Sequence, residues 1–195
     1  IVVNTTANSF LSHLQVGQWQ ADKLYVEMNS SGTQYIYRSL DGGHSVTLRY
    51  ASSLGTIALP YHANSQEEEI FTVAANNIDR SVNGASTFDT GWSTGPFPDQ
   101  NKLVFLPNNA NKAFNWKGGG DTFTSVARAK TWAQHAAASL WMNDSAFLTD
   151  GRYYAGGRAP QLVQISADWI VFTTKTGNLA SILNEVSSLT VDPTS

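Results

Sequence analysis

Apolar and polar positions alternate over the first third of the chain as a half-buried sheet requires. The runs "KLYVEMN", "TQYIYRSL" and "HSVTLRYA" (23–29, 33–40 and 44–51) are separated by Ser-Ser-Gly and Asp-Gly-Gly. Short connections of that chemistry predict an antiparallel meander. A fourth strand-like run, "GTIALPY" (55–61), leads into the polar corner "HANS". Helical spacing is read on either side. Phe10, Leu11 and Leu14 predict a short helix over 5–16. Ser65 and Glu68 match a capping box, and the acidic run Glu67–Glu69 suits a helix N-terminus. With Ile70, Val73, Ala74 and Ile78 as the buried stripe, they predict a helix over 65–80.

The stretch from 83 to 120 reads as loop-rich, with Pro96, Pro98, Pro107 and Gly118–Gly120, and holds one short strand, "KLVFLP" (102–107). An alanine-rich segment without Pro or Gly predicts a long helix over 122–143. "GRYYAGGRAP" (151–160) reads as turns, and "QLVQISADWIVF" (161–172) as a strand or an extended run. Leu179, Ile182, Leu183 and Val186 predict a last short helix over 176–188. No internal repeat is read. Strands first and helices afterwards predict an α+β fold: an N-terminal antiparallel or mixed sheet followed by a mainly helical C-terminal half. At 195 residues the chain suits one domain over 1–195, sheet-rich through 64 and helix-rich from 65.

Composition narrows the chemistry. Apolar residues make up 42% and charged residues 14%, which marks a globular chain. With no cysteine there is no disulfide, thiolate metal site or cysteine nucleophile. No apolar run approaches the roughly 18 to 20 residues of a membrane span, so a soluble protein is expected, cytoplasmic or secreted without disulfides. A formal charge of −3 argues against a broad phosphate-gripping face. Six Trp, seven Tyr and nine Phe supply surface for stacking a flat ring. Sequons occur at Asn4, Asn29 and Asn143. No phosphate loop and no Gly-x-Ser-x-Gly elbow is present. His13, His44, His62 and His135 are too scattered for a metal site, so no metal or cofactor is expected.

Several strings, in order, resemble the ribosome-inactivating protein family, whose members remove one adenine from a loop of large ribosomal RNA. They are "IVVNTTANSFLSHL", "QYIYRSLDGGH", the corner "LPYHANS", "VAANNIDRSVNG", "VARAKTWAQHAAASLW", "PQLVQISADWIVF" and "NLASILNEV". Short length and the lack of cysteine look most like the small single-chain type found in mushrooms. The resemblance implies an rRNA N-glycosidase, a monomeric toxin of fungal defence with ribosomal RNA and adenine as its partners. Tyr35, with Tyr37 as the alternative, is the counterpart of the first adenine-stacking tyrosine, and Trp169 matches the family tryptophan. The second tyrosine falls on Ser65, leaving Tyr61 or His62 of the same corner, beside Asn64, to replace it. The family's Glu-Ala-x-Arg falls on His135-Ala136-Ala137-Ala138, where both charges are missing.

On the predicted long helix, Arg128, Thr131 or Trp132, and His135 share a face. Arg128 then supplies the cation and His135 the acid or base that cleavage at a sugar–adenine bond needs. The carboxylate comes from Asp89, Asp144, Asp168 or Glu69, which the sequence does not rank. Two other readings stand beside this one. The first is an inactive relative of that fold that binds carbohydrate or nucleic acid. The second is a phage or capsid-type attachment domain with Trp92 or Trp116 buried between chains.

Overall fold

The computed structural model describes residues 9–16, 22–30, 32–52, 56–58, 69–74, 77–95, 102–106, 109–116, 120–140, 142–147, 152–157, 161–165 and 172–174. Among these residues no helix occurs, and the strands form four four-stranded sheets. Sheet 1 is β1 (Ser9–Val16), β2 (Leu24–Ser30), β3 (Thr33–Ser39) and β4 (Thr47–Ser52). Sheet 2 is β5 (Thr56–Ala58), β6 (Ile70–Ala74), β7 (Asn77–Ser81) and β8 (Asp89–Thr94). Sheet 3 is β9 (Lys102–Leu106), β10 (Asn109–Trp116), β11 (Gly120–Ser125) and β12 (Ala133–Leu140). Sheet 4 is β13 (Met142–Phe147), β14 (Tyr153–Gly157), β15 (Gln161–Ile165) and β16 (Phe172–Thr174). Each sheet is an antiparallel meander with its strands in chain order. β5 touches both β1 and β9, so the first strands of sheets 1, 2 and 3 lie side by side, and the last strand of each sheet is its other edge.

The meander expected over 23–51 is present as β2 to β4, but the α+β fold with a helical second half is not. The segment read as a helix over 5–16 contains β1, which pairs with β2. The segment 65–80 carries β6 and most of β7, paired Ile70 to Ser81 and Val73 to Ile78. Ile70, Phe71, Thr72 and Val73 are all buried, so both faces of β6 are covered and no two-residue alternation appears in the sequence. The long alanine-rich helix is replaced by β11, a loop and β12, with Thr122 opposite His135 and Thr124 opposite Ala133. Pairing with β11 overrides the helix preference of alanine, a weak prior of less than about 1 kcal/mol per residue. The strand expected at 102–107 is present as β9, but the loop-rich stretch also contains β8 and β10, and the turn region 151–160 contains β14. The helix expected over 176–188 lies outside the described residues.

The sequence does contain a repeat. Between the third and fourth strands of sheets 1, 2 and 3 run Ser39-Leu-Asp-Gly-Gly-His-Ser45, Ser81-Val-Asn-Gly-Ala-Ser-Thr87 and Ser125-Val-Ala-Arg-Ala-Lys-Thr131. In each, the buried serine hydroxyl accepts the N–H four residues on: from Gly43 at 2.8 Å, Ala85 at 3.0 Å and Ala129 at 3.1 Å. That closure needs two successive left-handed residues. They are Gly42 and Gly43 (φ 67° and 90°), Gly84 and Ala85 (64° and 63°), and Arg128 and Ala129 (53° and 59°). The second residue of every loop is an outward aliphatic: Leu40 (57% exposed), Val82 (62%) and Val126 (71%).

The same loops join the sheets. Ala85 packs with Tyr25, Ile36 and Ile70, and Tyr50 meets Phe88 edge-on at 4.7 Å. Ala129 packs with Phe71, Ile78, Phe105 and Phe123, covered by Trp92 and Trp132. Each buried aromatic of this kind contributes about 1.5–3 kcal/mol.

Candidate functional site

The junction of sheets 2 and 3 gathers most of the chemistry. Glu69, just before β6, is 3% exposed. Its carboxylate receives Arg80 Nε on one oxygen, and Arg128 Nε (2.7 Å) and Nη2 on the other. A buried carboxylate costs several kcal/mol unless paired, and two guanidiniums satisfy it here. Arg128 reaches Glu69 from the loop after β11, held there by its left-handed backbone and by its N–H donating to the Asn111 carbonyl at 2.9 Å. β8 grips the same loop. Trp92 Nε1–H donates to the Arg128 carbonyl at 3.2 Å, and the Ser93 hydroxyl to the Lys130 carbonyl at 2.9 Å. Sheet 1 holds the loop of sheet 2 in the same manner, with Arg49 donating to the carbonyls of Gly84 (3.0 Å) and Asn83 (3.2 Å).

Beside this junction opens a pocket of about 330 Å³. Its wall from sheet 2 is Ser93, Thr94 and Gly95. Sheet 3 supplies Phe123, Thr131, Trp132 and Gln134, and Lys130 is the one charged residue of the described lining. The Trp132 indole N–H is held by the Ala129 carbonyl at 3.1 Å, which fixes the ring. The Lys130 ammonium lies 4.1 Å from the centroid of Trp92, and Arg80 sits 4.4 Å from the same ring. Aromatic faces, hydroxyls, an amide and an ammonium make a surface for holding a ligand. Glycoside hydrolysis generally uses a pair of carboxyl groups, and the described lining has no carboxylate.

The residues expected to form an adenine site are dispersed. Tyr35 and Tyr37 lie on β3, half-buried, with ring centroids 6.5 Å apart and planes 32° from parallel. Arg128 lies in a hairpin loop and His135 on β12, so the helical face they were expected to share does not exist. Asp89 begins β8 opposite Arg80, and Asp144 lies on β13 opposite Gly156. Of the four carboxylates, Glu69 is the one shown beside Arg128, as its ion-pair partner. Tyr61, His62, Asn64, Asp168 and Trp169 lie outside the described residues. Lys130, Trp92 and Ser93 were missed as a group. The serine repeat, which places Lys130 five residues after Ser125, was the signal that would have found them.

No family model and no curated protein matches the chain. Solved structures do, at low identity. The GH74 xyloglucanase from Xanthomonas campestris is similar with a TM-score of 0.64 at 14% identity, over 83% of this chain and 30% of that one. YCF48 bound to a D1 peptide is similar at 0.62 and 12%, over 89% of this chain and 57% of that one. The WD40 β-propeller domain of Doa1 is similar at 0.56 and 11%, over 89% and 55%. The chain thus spans less than two thirds of each of these structures. These neighbours are propeller proteins and not ribosome-inactivating proteins. The expected N-glycosidase activity, the toxin role and the ribosomal RNA and adenine partners therefore have no support, and the alternative built on an inactive relative of that fold falls with them. Likeness at this identity establishes the fold: the four-stranded sheets are blades of a β-propeller.

Proposed function

We propose that the chain is a protein-binding part of a β-propeller, and that it takes hold of a polypeptide at the pocket between its second and third blades. The observation that carries this reading is the chemistry of the lining. Half-buried Trp132 offers an aromatic face backed by the buried Phe123, Thr131 and Gln134 bring polar groups, Lys130 brings one cation, and no described lining residue is a carboxylate. A concave site where aromatic surface meets converging polar groups is a common place for binding. Val126, 71% exposed, adds an apolar group on the loop that carries Lys130. One of the similar structures, YCF48, was solved bound to a D1 peptide, which fits the reading.

An array of short peptides of known sequence, probed with the purified chain, tests the reading. Reproducible retention of a related subset is expected, and Trp132→Ala should abolish it. Retention of no peptide would overturn the proposal. So would release of reducing ends from xyloglucan by the pure protein, which would favour the hydrolase neighbours.

A further inference from the structure

We infer that Lys130 receives a carboxylate from the bound segment, so that the pocket selects an acidic residue or a chain terminus within an extended peptide. The inference rests on the protein-binding reading above and names what the pocket prefers.

The charges around the junction are unequally served. Glu69 pairs with Arg80 and Arg128. Asp79 accepts the Gly91 N–H at 2.7 Å. Lys130 makes no ion pair among the described residues, and the Trp92 ring 4.1 Å away is the partner of its ammonium there. A ring face attracts a cation but accepts none of its three N–H donors in full, so the ammonium keeps most of its hydrogen-bonding capacity for another group.

Lys130 is also held in place. The Ser93 hydroxyl fixes its carbonyl at 2.9 Å, and its own N–H donates to the Ala127 carbonyl at 3.1 Å. The residue is exposed and belongs to the pocket wall. An anion arriving there meets a charge whose position is already set, and less ordering is needed on binding.

Two features choose the kind of anion and the kind of chain. A single ammonium without a guanidinium fork in the lining matches one carboxylate better than a phosphate, which is commonly held by several donors. β8 and β12 are the outer strands of their sheets, and they supply Ser93, Thr94 and Gln134 to the pocket. An outer strand can pair with an added extended segment, whose alternate side chains then enter adjoining pockets.

Calorimetric titration of the whole chain with three probes tests this. They are acetyl-Thr-Val-Asp-Val-Thr-amide, its Asn counterpart, and the Asn counterpart ending in a carboxylate. The Asp peptide should bind about tenfold more tightly than the Asn amide, with the advantage shrinking as salt rises. Lys130→Met should bring that ratio to about one, and Lys130→Arg should retain most of it. If the terminal carboxylate gains the tenfold instead of the Asp side chain, the same inference holds with a chain end as the source. Equal binding of all three peptides overturns the inference but leaves the protein-binding reading intact. A ratio unchanged by Lys130→Met also overturns it. Binding of none overturns both.

Discussion

The loop after β3 and the loop after β11 follow one backbone path by different means. In the first, Asp41 organises everything locally. It accepts the Ser39 hydroxyl at 2.7 Å, the Ser45 N–H at 2.9 Å and the Ser45 hydroxyl at 2.6 Å, and the two left-handed positions are glycines. In the second, the equivalent residue is Ala127 and the left-handed positions are Arg128 and Ala129. A left-handed residue other than glycine costs about 1–2 kcal/mol. That cost is offset from outside the loop, by Glu69, the Trp92 indole and the Ser93 hydroxyl of the preceding blade. The middle loop keeps the local device with Asn83, which accepts from Thr87 N–H at 3.0 Å. A repeated turn can thus give up its internal scaffold where a neighbouring blade replaces it. The same loop sends Arg128 and Lys130 to the blade junction.

The external hold on the loop after β11 should carry the largest share of stability. Glu69→Gln should cost about 3 kcal/mol in urea denaturation, the lower end for a broken buried pair because the arginines are partly exposed. Amide exchange should rise at Ala129 and not at Gly43; equal exchange at the two would show that both loops stand alone. Next come the serines. Ser39→Ala should cost about 2 kcal/mol and Ser125→Ala about 1 kcal/mol, because the first hydroxyl donates to Asp41 as well as accepting backbone N–H groups. The reverse order would contradict the local-versus-external distinction.

Restoring the missing acid gives a smaller effect. Ala127→Asp should stabilise by about 0.5–1 kcal/mol, raising the melting temperature by about 2 °C, and Thr131→Val in the same chain should remove part of the gain. The smallest effect concerns pH. Bonds from the Ser45 hydroxyl, the Ser45 N–H and the Ser39 hydroxyl hold the Asp41 carboxyl well below the usual carboxylate range. A depressed folded value contributes stability that is full above about 3.9, the unfolded value, and fades as pH falls toward the folded one. The difference in melting temperature between the natural chain and Asp41→Asn should therefore shrink from pH 5 to pH 2. A constant difference would remove Asp41 from the account.

Legibility in the sequence followed local physics. The meander of 23–51 could be read because its strands are separated by turn residues that need φ above zero, such as Gly42 and Gly43. β6 could not, because burial on both faces leaves a continuous apolar run that a helix also explains. Glu69 fitted a helix cap as well as it fits an ion-pair hub, since an acid after a polar corner has the same sequence signature in both. The repeat was hidden by Asp41, Asn83 and Ala127 standing at one position, and by Gly43, Ala85 and Ala129 at another. Three serine hydroxyls closing on three equivalent N–H groups made the positions comparable.

By itself the sequence determined the turns and the spacing of the serines, along with the supply of aromatic and cationic side chains. Those depend on residues within a few positions of each other. Tertiary structure decided whether the apolar segments became strands or helices, and it brought Arg128 to Glu69 across 59 residues of chain. Helix and strand preferences differ by less than about 1 kcal/mol per residue. Burial and sheet pairing outweigh that difference, and a single chain's local pattern does not report them.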